Sequence, residues 1–218
     1  MQRREFNTTL AGIAGLGSLG LAGQAAAQGG PVEGRQYVRL NTPTTVTLPS
    51  PDKAVEVVEF FWYGCPACNA FEPALESWVK KLPADVAFRR VPVGFAVPHQ
   101  THQKLFYALE AMGQLEAMHR RVFAAIHLQQ QRLLVDKDIA AWGKANGLDG
   151  DKLLSTMKSM GVDSKARQAR ALADGYKVDG VPAIGVQGRF YTSGTLAGTF
   201  DNVLAVTNFL IQRSRQKA

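Results

Sequence analysis

Val55-Glu56-Val57-Val58-Glu59-Phe60-Phe61-Trp62-Tyr63-Gly64-Cys65-Pro66-Ala67-Cys68 is the stretch whose reading decides the fold. Residues 55–62 are mostly β-branched or aromatic, the composition of a buried strand. Pro66 can open a helix, because the N–H that proline lacks has no partner in a first helical turn. A strand that passes into a helix through C-x-x-C is the arrangement of thiol–disulfide redox proteins. Cys65 and Cys68 are the only cysteines among 218 residues. A bond between them closes so short a loop that it removes little unfolded-state entropy, which suits exchange better than bracing.

Downstream of the pair, the pattern predicts a helix from Pro66 to about Leu82, kinked at Pro73, which removes one rung of the hydrogen-bond ladder. Val86 to Val91 reads as a second strand. From about His99 to Gly175 the apolar period is helical. Leu105, Leu109 and Met112 share one face, and Leu115, Met118, Val122, Phe123 and Ile126 another. A third helix carries Ile139, Trp142 and Ala145 and stops at Asn146-Gly147; a fourth carries Leu153, Leu154 and Met157; a fifth lies near 164–173. Ala183–Val186 and Arg189–Thr192 then read as a hairpin turning at Gln187-Gly188, and a last helix spans roughly Phe200–Arg213.

Strand, helix, strand, helical block, two strands, helix is the order of an α/β, thioredoxin-like fold with a large inserted helical subdomain. The expected organisation is a cleaved signal peptide over 1–27, the first part of the thioredoxin-like domain with an N-terminal arm over 28–95, the inserted subdomain over 96–175, and the second part over 176–218. The leader rests on Arg3 and Arg4, an apolar run from Leu10 to Ala22 that is too short to span a membrane, and Ala25-Ala26-Ala27 as a cleavage site. Both the general secretory route and the twin-arginine route fit it. Export would place the cysteine pair in an oxidising compartment, the bacterial periplasm. The net charge of +7 comes from basic residues interleaved with acids, a solvated surface rather than a nucleic-acid face.

Glu59 through Cys68 resembles the active-site strand and turn of the DsbA family of periplasmic thiol:disulfide oxidoreductases, and Gly180-Val181-Pro182-Ala183 resembles that family's cis-proline loop. The leader, the helical insertion and the arm Glu33-Gly34-Arg35-Gln36-Tyr37 are also similar. One position departs: Ala67 stands where the best-known members carry histidine.

The resemblance implies a function and a site. The chain would oxidise cysteine pairs in exported proteins by donating a Cys65–Cys68 disulfide through a mixed-disulfide intermediate. Cys65 would be the partly exposed, attacked sulfur and Cys68 the buried partner. Pro66 and Ala67 would tune the redox poise. Pro182, cis, would pack beside the disulfide, and Val181 would offer backbone groups to an extended substrate. Glu59 would lie beneath the pair and relay a proton to or from Cys68. Trp62, Tyr63, Phe95 and Val97 would rim the site, and His99, His102, His119 and His127 would be surface or cap residues. No cofactor beyond the disulfide, no metal and no nucleic acid is expected. The expected partners are reduced or unfolded exported proteins and a membrane reoxidase of the DsbB type, with the chain a monomer.

Two other readings remain open on the sequence. One is a periplasmic disulfide reductase or isomerase, although no dimerisation region is visible. The other, of a different class, is a Cu(I)-binding chaperone using the same two cysteines. Zinc would want four ligands, and no neighbouring Cys/His pair supplies the other two.

Overall fold

The computed structural model describes residues 29–216, so the proposed leader over 1–27 lies outside the described residues. Five strands form one mixed sheet: β1 (Val38–Arg39), β2 (Val55–Phe61), β3 (Val86–Pro92), β4 (Ala183–Val186) and β5 (Phe190–Ser193), in the order β1-β5-β4-β2-β3. β2 pairs with β3 in parallel and with β4 antiparallel; β4–β5 and β1–β5 are antiparallel. Every residue of β2 is buried, as expected of a strand covered on both faces.

Helix α1 (Pro66–Val79) follows β2 directly. Between β3 and β4 come α2 (Val97–Ala111), α3 (Leu115–His127), α4 (Asp136–Ala145), α5 (Gly150–Met157) and α6 (Met160–Gly175). After β5 come the single turn α7 (Gly194–Ala197) and α8 (Phe200–Arg215). The starts are written locally: Asp149 accepts from Asp151 N and Lys152 N at 3.0 Å, Ser159 accepts from Val162 N at 3.3 Å, and Thr199 accepts from Asn202 N at 3.2 Å. The β4–β5 turn places Gln187 and Gly188 at φ 51 and 60, so the residues that signal the hairpin do make it.

Alternation along β2 sorts its residues to two cores. Val55 and Val57 join Ile184, Val186, Phe71, Leu75, Val203 and Leu210 under α1 and α8. Val58 and Phe60 join the larger core built with the helical block. Phe61 belongs to that core too, because its ring packs edge-on against Phe106 of α2 at 5.5 Å.

Three local expectations need correction. Helix α1 runs through Pro73, as expected, but ends at Val79, short of Leu82. Pro73 is exposed, so the helix loses a rung on its solvent side, where water can take the freed carbonyl. The N-terminal arm is not merely extended: Val38 and Arg39 pair with Tyr191 and Phe190 at the sheet edge. The histidines are also less superficial than expected. His102 and His119 are buried, and His127 is half-buried with Nε2 2.8 Å from the Tyr63 carbonyl oxygen.

Candidate active site

Cys65 is the N-cap of α1, with φ −84 and ψ 116, so its sulfur points back at the free N–H groups of the first turn. Cys68 N donates to Cys65 Sγ at 3.2 Å, and the Cys65 thiol donates to the Val181 carbonyl at 3.4 Å. The two cysteines are free thiols here and both are buried: Cys65, expected to be partly exposed, keeps 9% of its surface and Cys68 none. The hydrogen bond from the Cys68 thiol, helped by the backbone N–H groups of Cys68 and Ala67, pulls Cys65 down to about 6 against the cost of its partial burial. Cys68 goes the other way: burial, then its bond to Cys65, push its thiol far above the ordinary range. Pro66 and Ala67, between them, are both exposed.

The Val181–Pro182 peptide is cis, as the resemblance implies, and β4 begins at the next residue. Pro182 is buried and Val181 half-buried, with the Val181 carbonyl over Cys65. Across the turn, a Cβ on Gly64 would overlap the Trp62 indole, so glycine before Cys65 lets that ring fold back beside the site. The indole packs tilted against His99, with centroids 4.2 Å apart. Phe95 and Val97 are exposed as a rim should be, but Tyr63 is fully buried and belongs to the floor.

The floor is charged. Glu59 is fully buried, which rules out an outward-facing strand residue. The β-register sets Ile184 on one side of it and Arg90 on the other. Arg90 Nε lies 3.2 Å from Glu59 Oε2, off the line of a good hydrogen bond, so both Glu59 oxygens lack a well-directed donor. The same guanidinium bonds Glu72, a second fully buried carboxylate on α1. Desolvation first, then the charge of Glu72, raises Glu59 to about 8, with the Cys65 charge adding to the effect and Arg90 opposing it. Glu72 is lowered despite its burial by His119 and Arg90. Glu59 in turn is among the charges that raise Cys68.

The cysteines, Glu59, Pro66, Ala67, Val181 and Pro182 therefore meet at one end of the sheet. Glu72, Arg90, His119 and the burial of Tyr63 were not anticipated. A signal for Glu72 exists: Cys65, Cys68 and Glu72 are spaced i, i+3, i+7 and share a helix face. Arg90 likewise follows Val86 and Phe88 at strand spacing. Among the described residues, no group of three or more His, Cys, Asp and Glu side chains is placed to hold a metal ion.

A C-x-x-C pair at a strand–helix junction, facing a proline loop on a thioredoxin-type sheet, defines a thiol–disulfide oxidoreductase. The comparisons agree. Residues 56–202 match the family model described as DSBA-like thioredoxin domain. The chain is 42% identical over 182 residues, 84% of each chain, to the thiol:disulfide interchange protein DsbA of Azotobacter vinelandii. It superposes on the crystal structure of Pseudomonas aeruginosa DsbA with a TM-score of 0.78 at 38% identity, covering 84% of this chain and 94% of that one. For the DsbA oxidoreductase of Xylella fastidiosa the TM-score is 0.78 at 27% identity, covering 85% and 98%. This chain belongs to the DsbA family and is a protein dithiol–disulfide oxidoreductase.

Proposed function

We propose that the protein oxidises cysteine pairs in exported proteins, donating a Cys65–Cys68 disulfide. The observation that supports this direction is the split between the two thiols: Cys65 is pulled down to about 6 while Cys68 is pushed far up. A dithiol whose first sulfur is already a thiolate at neutral pH is a stabilised product, which makes the disulfide form oxidising.

The reaction balances in two exchanges. A substrate thiolate attacks Cys65 Sγ, the Cys65–Cys68 bond breaks, and the Cys68 thiolate leaves and takes the proton carried by Glu59. The second substrate thiol, once deprotonated, attacks the substrate sulfur of the mixed disulfide and expels the Cys65 thiolate. The substrate gains a disulfide; the protein ends with a Cys65 thiolate and a Cys68 thiol; one proton goes to solvent and Glu59 is reprotonated from it. No cofactor beyond the disulfide takes part. Val181, with its carbonyl over Cys65, offers backbone groups to an extended substrate, and Pro182 holds that strand beside the sulfur. Ala67 tunes the potential through its N–H to Cys65, and Pro66, which has no N–H to give, leaves that role to Ala67 and Cys68.

The same reading places the protein in the periplasm, reached through the residue 1–27 leader by the general secretory or the twin-arginine route. It acts there as a monomer, on reduced or unfolded exported proteins, and is reoxidised by a membrane protein of the DsbB type. Among the described residues no helix is long and apolar enough to cross a membrane.

The deciding experiment is the equilibrium of the Cys65/Cys68 pair with glutathione, run beside oxidative refolding of a reduced substrate. A potential well above the thioredoxin end, about −270 mV, with turnover as an oxidant is expected. A potential at that end without oxidation would point to a reductase. Tight copper binding without oxidation would point to the chaperone.

A further inference from the structure

Beneath the cysteines, four kinds of polar group form one buried line. Tyr63 Oη is 2.8 Å from His119 Nδ1. His119 Nε2 is 3.3 Å from Glu72 Oε1, within ion-pair range though bent from ideal hydrogen-bond geometry. Glu72 is bonded by Arg90, and Arg90 reaches Glu59. The imidazole cannot turn freely, because Phe61, Phe106 and Phe123 meet it edge-on at 5.4, 6.2 and 5.3 Å. A groove of about 530 Å³, lined among others by Arg90, Glu76, Glu110, Glu116 and His119, opens beside the inner members of the line.

The charged and titratable groups around His119 are Glu72 and Glu76 from α1, Arg90 from β3 and Tyr63 from the turn after β2; α2 packs on it with the ring of Phe106 and sends Glu110 to the groove. Burial holds the imidazole below its usual pKa, so it carries one proton at neutral pH. If that proton were on Nδ1, the lone pair of Nε2 would face the Glu72 carboxylate in a dry pocket. With the proton on Nε2, the N–H meets the carboxylate and Nδ1 accepts from the Tyr63 hydroxyl. Burial raises the Tyr63 phenol well above its usual range, so it keeps its proton and can donate. In that arrangement Glu72 has the Arg90 bond and the His119 N–H within ion-pair range, whereas Glu59 has only an off-line share of Arg90.

We propose that His119 is a positioning residue for thiol exchange: held by Tyr63 with its proton on Nε2, it keeps Glu72 ionised and so leaves Glu59 as the carboxyl that carries the exchangeable proton. This rests on the reading of Glu59 as the group that protonates Cys68. Without His119, Glu72 competes for the same proton, and the proton sits farther from the sulfur.

The test is nuclear magnetic resonance of the reduced, substrate-free protein. Wild type should show His119 neutral at neutral pH with its proton on Nε2; a charged ring, or a proton on Nδ1, overturns the proposal without recourse to any variant. Carboxyl-carbon titration should show Glu59 with a midpoint of about 8, and Glu72 flat between about pH 6 and 9. In His119→Phe, Glu72 should gain a titration in that range while the Glu59 amplitude falls; His119→Gln, whose amide can still donate to Glu72, should restore the wild-type pattern. A flat Glu72 in folded His119→Phe overturns the proposal. The proton-carrier reading is tested separately: if Glu59→Gln leaves the oxidation rate unchanged, that reading fails while the tautomer and titration results stand.

Discussion

Glu56 and Glu59 sit three residues apart on β2, both fully buried, each beside an arginine of β3, and they end in different situations. Alternation puts them on opposite faces of the sheet. On one face, Glu56 Oε1 accepts from Arg89 Nε at 2.9 Å and from Thr47 N at 3.0 Å. On the other face, Glu59 shares Arg90 with a second carboxylate and lies close to two thiols. Burial is common to both. Burial is the first cause that raises Glu59 to about 8; the second, the charge of Glu72 drawing on the same Arg90, is a feature of the Glu59 site.

The largest effect that could break this comparison is on stability. Arg90→Met leaves two acids buried without their guanidinium and should cost about 3–5 kcal/mol in urea unfolding. Arg89→Met should cost less than half of that, because Arg89 is partly exposed and Glu56 keeps the Thr47 N–H. Equal losses would mean that the two sites are alike. Next comes rate: Glu59→Gln should slow oxidation of a dithiol substrate by about 10²-fold. Glu56→Gln, far from the thiols, should change it by no more than about twofold, within the ordinary effect of a small stability loss.

A pH series sharpens the contrast further. Glu59 is raised from 4.5 unfolded to about 8 folded, so between those values the native state holds a proton that the unfolded state has released. The contribution of this group to stability is therefore full below pH 4.5 and is lost as pH rises toward 8, by about 1.4 kcal/mol per pH unit. Replacing Glu59 by Gln should remove that slope, and an unchanged slope would locate the proton elsewhere. The smallest effect acts at the mouth and leaves the floor untouched. Ala67→His adds a cation beside the Cys65 thiolate, and should lower its pKa by about one unit and raise the reduction potential by about 30 mV. Thiolate absorbance and glutathione equilibria measure the two; no change in either would show that the N–H groups alone set the poise.

Much of the fold was legible along the chain. The strand before Cys65, the five-helix block and the Gln187-Gly188 turn follow from period, caps and glycine, which are local properties. The misreadings were also local rules overruled by tertiary placement. Helix α1 stops at Val79, short of Leu82, and Val38–Arg39 become a strand only because the edge of β5 is free to accept them. The histidines of the block read as surface residues because nothing in a helical period shows which face a neighbouring strand will cover.

The site divides the same way. The amino-acid sequence alone determines the cysteine pair, the strand that delivers it, the helix N-terminus that lowers Cys65, and the proline loop that returns to it, since each is carried by a motif of a few residues. Only the tertiary structure decides that Glu59 is matched with Arg90 rather than Arg89, that Arg90 is shared with Glu72, and that His119 and Tyr63 close the line. Those meetings depend on the register of β2 against β3 and on how α3 packs beneath α1. Groups far apart along the chain must arrive within about 4–6 Å before one strongly changes the proton affinity of another.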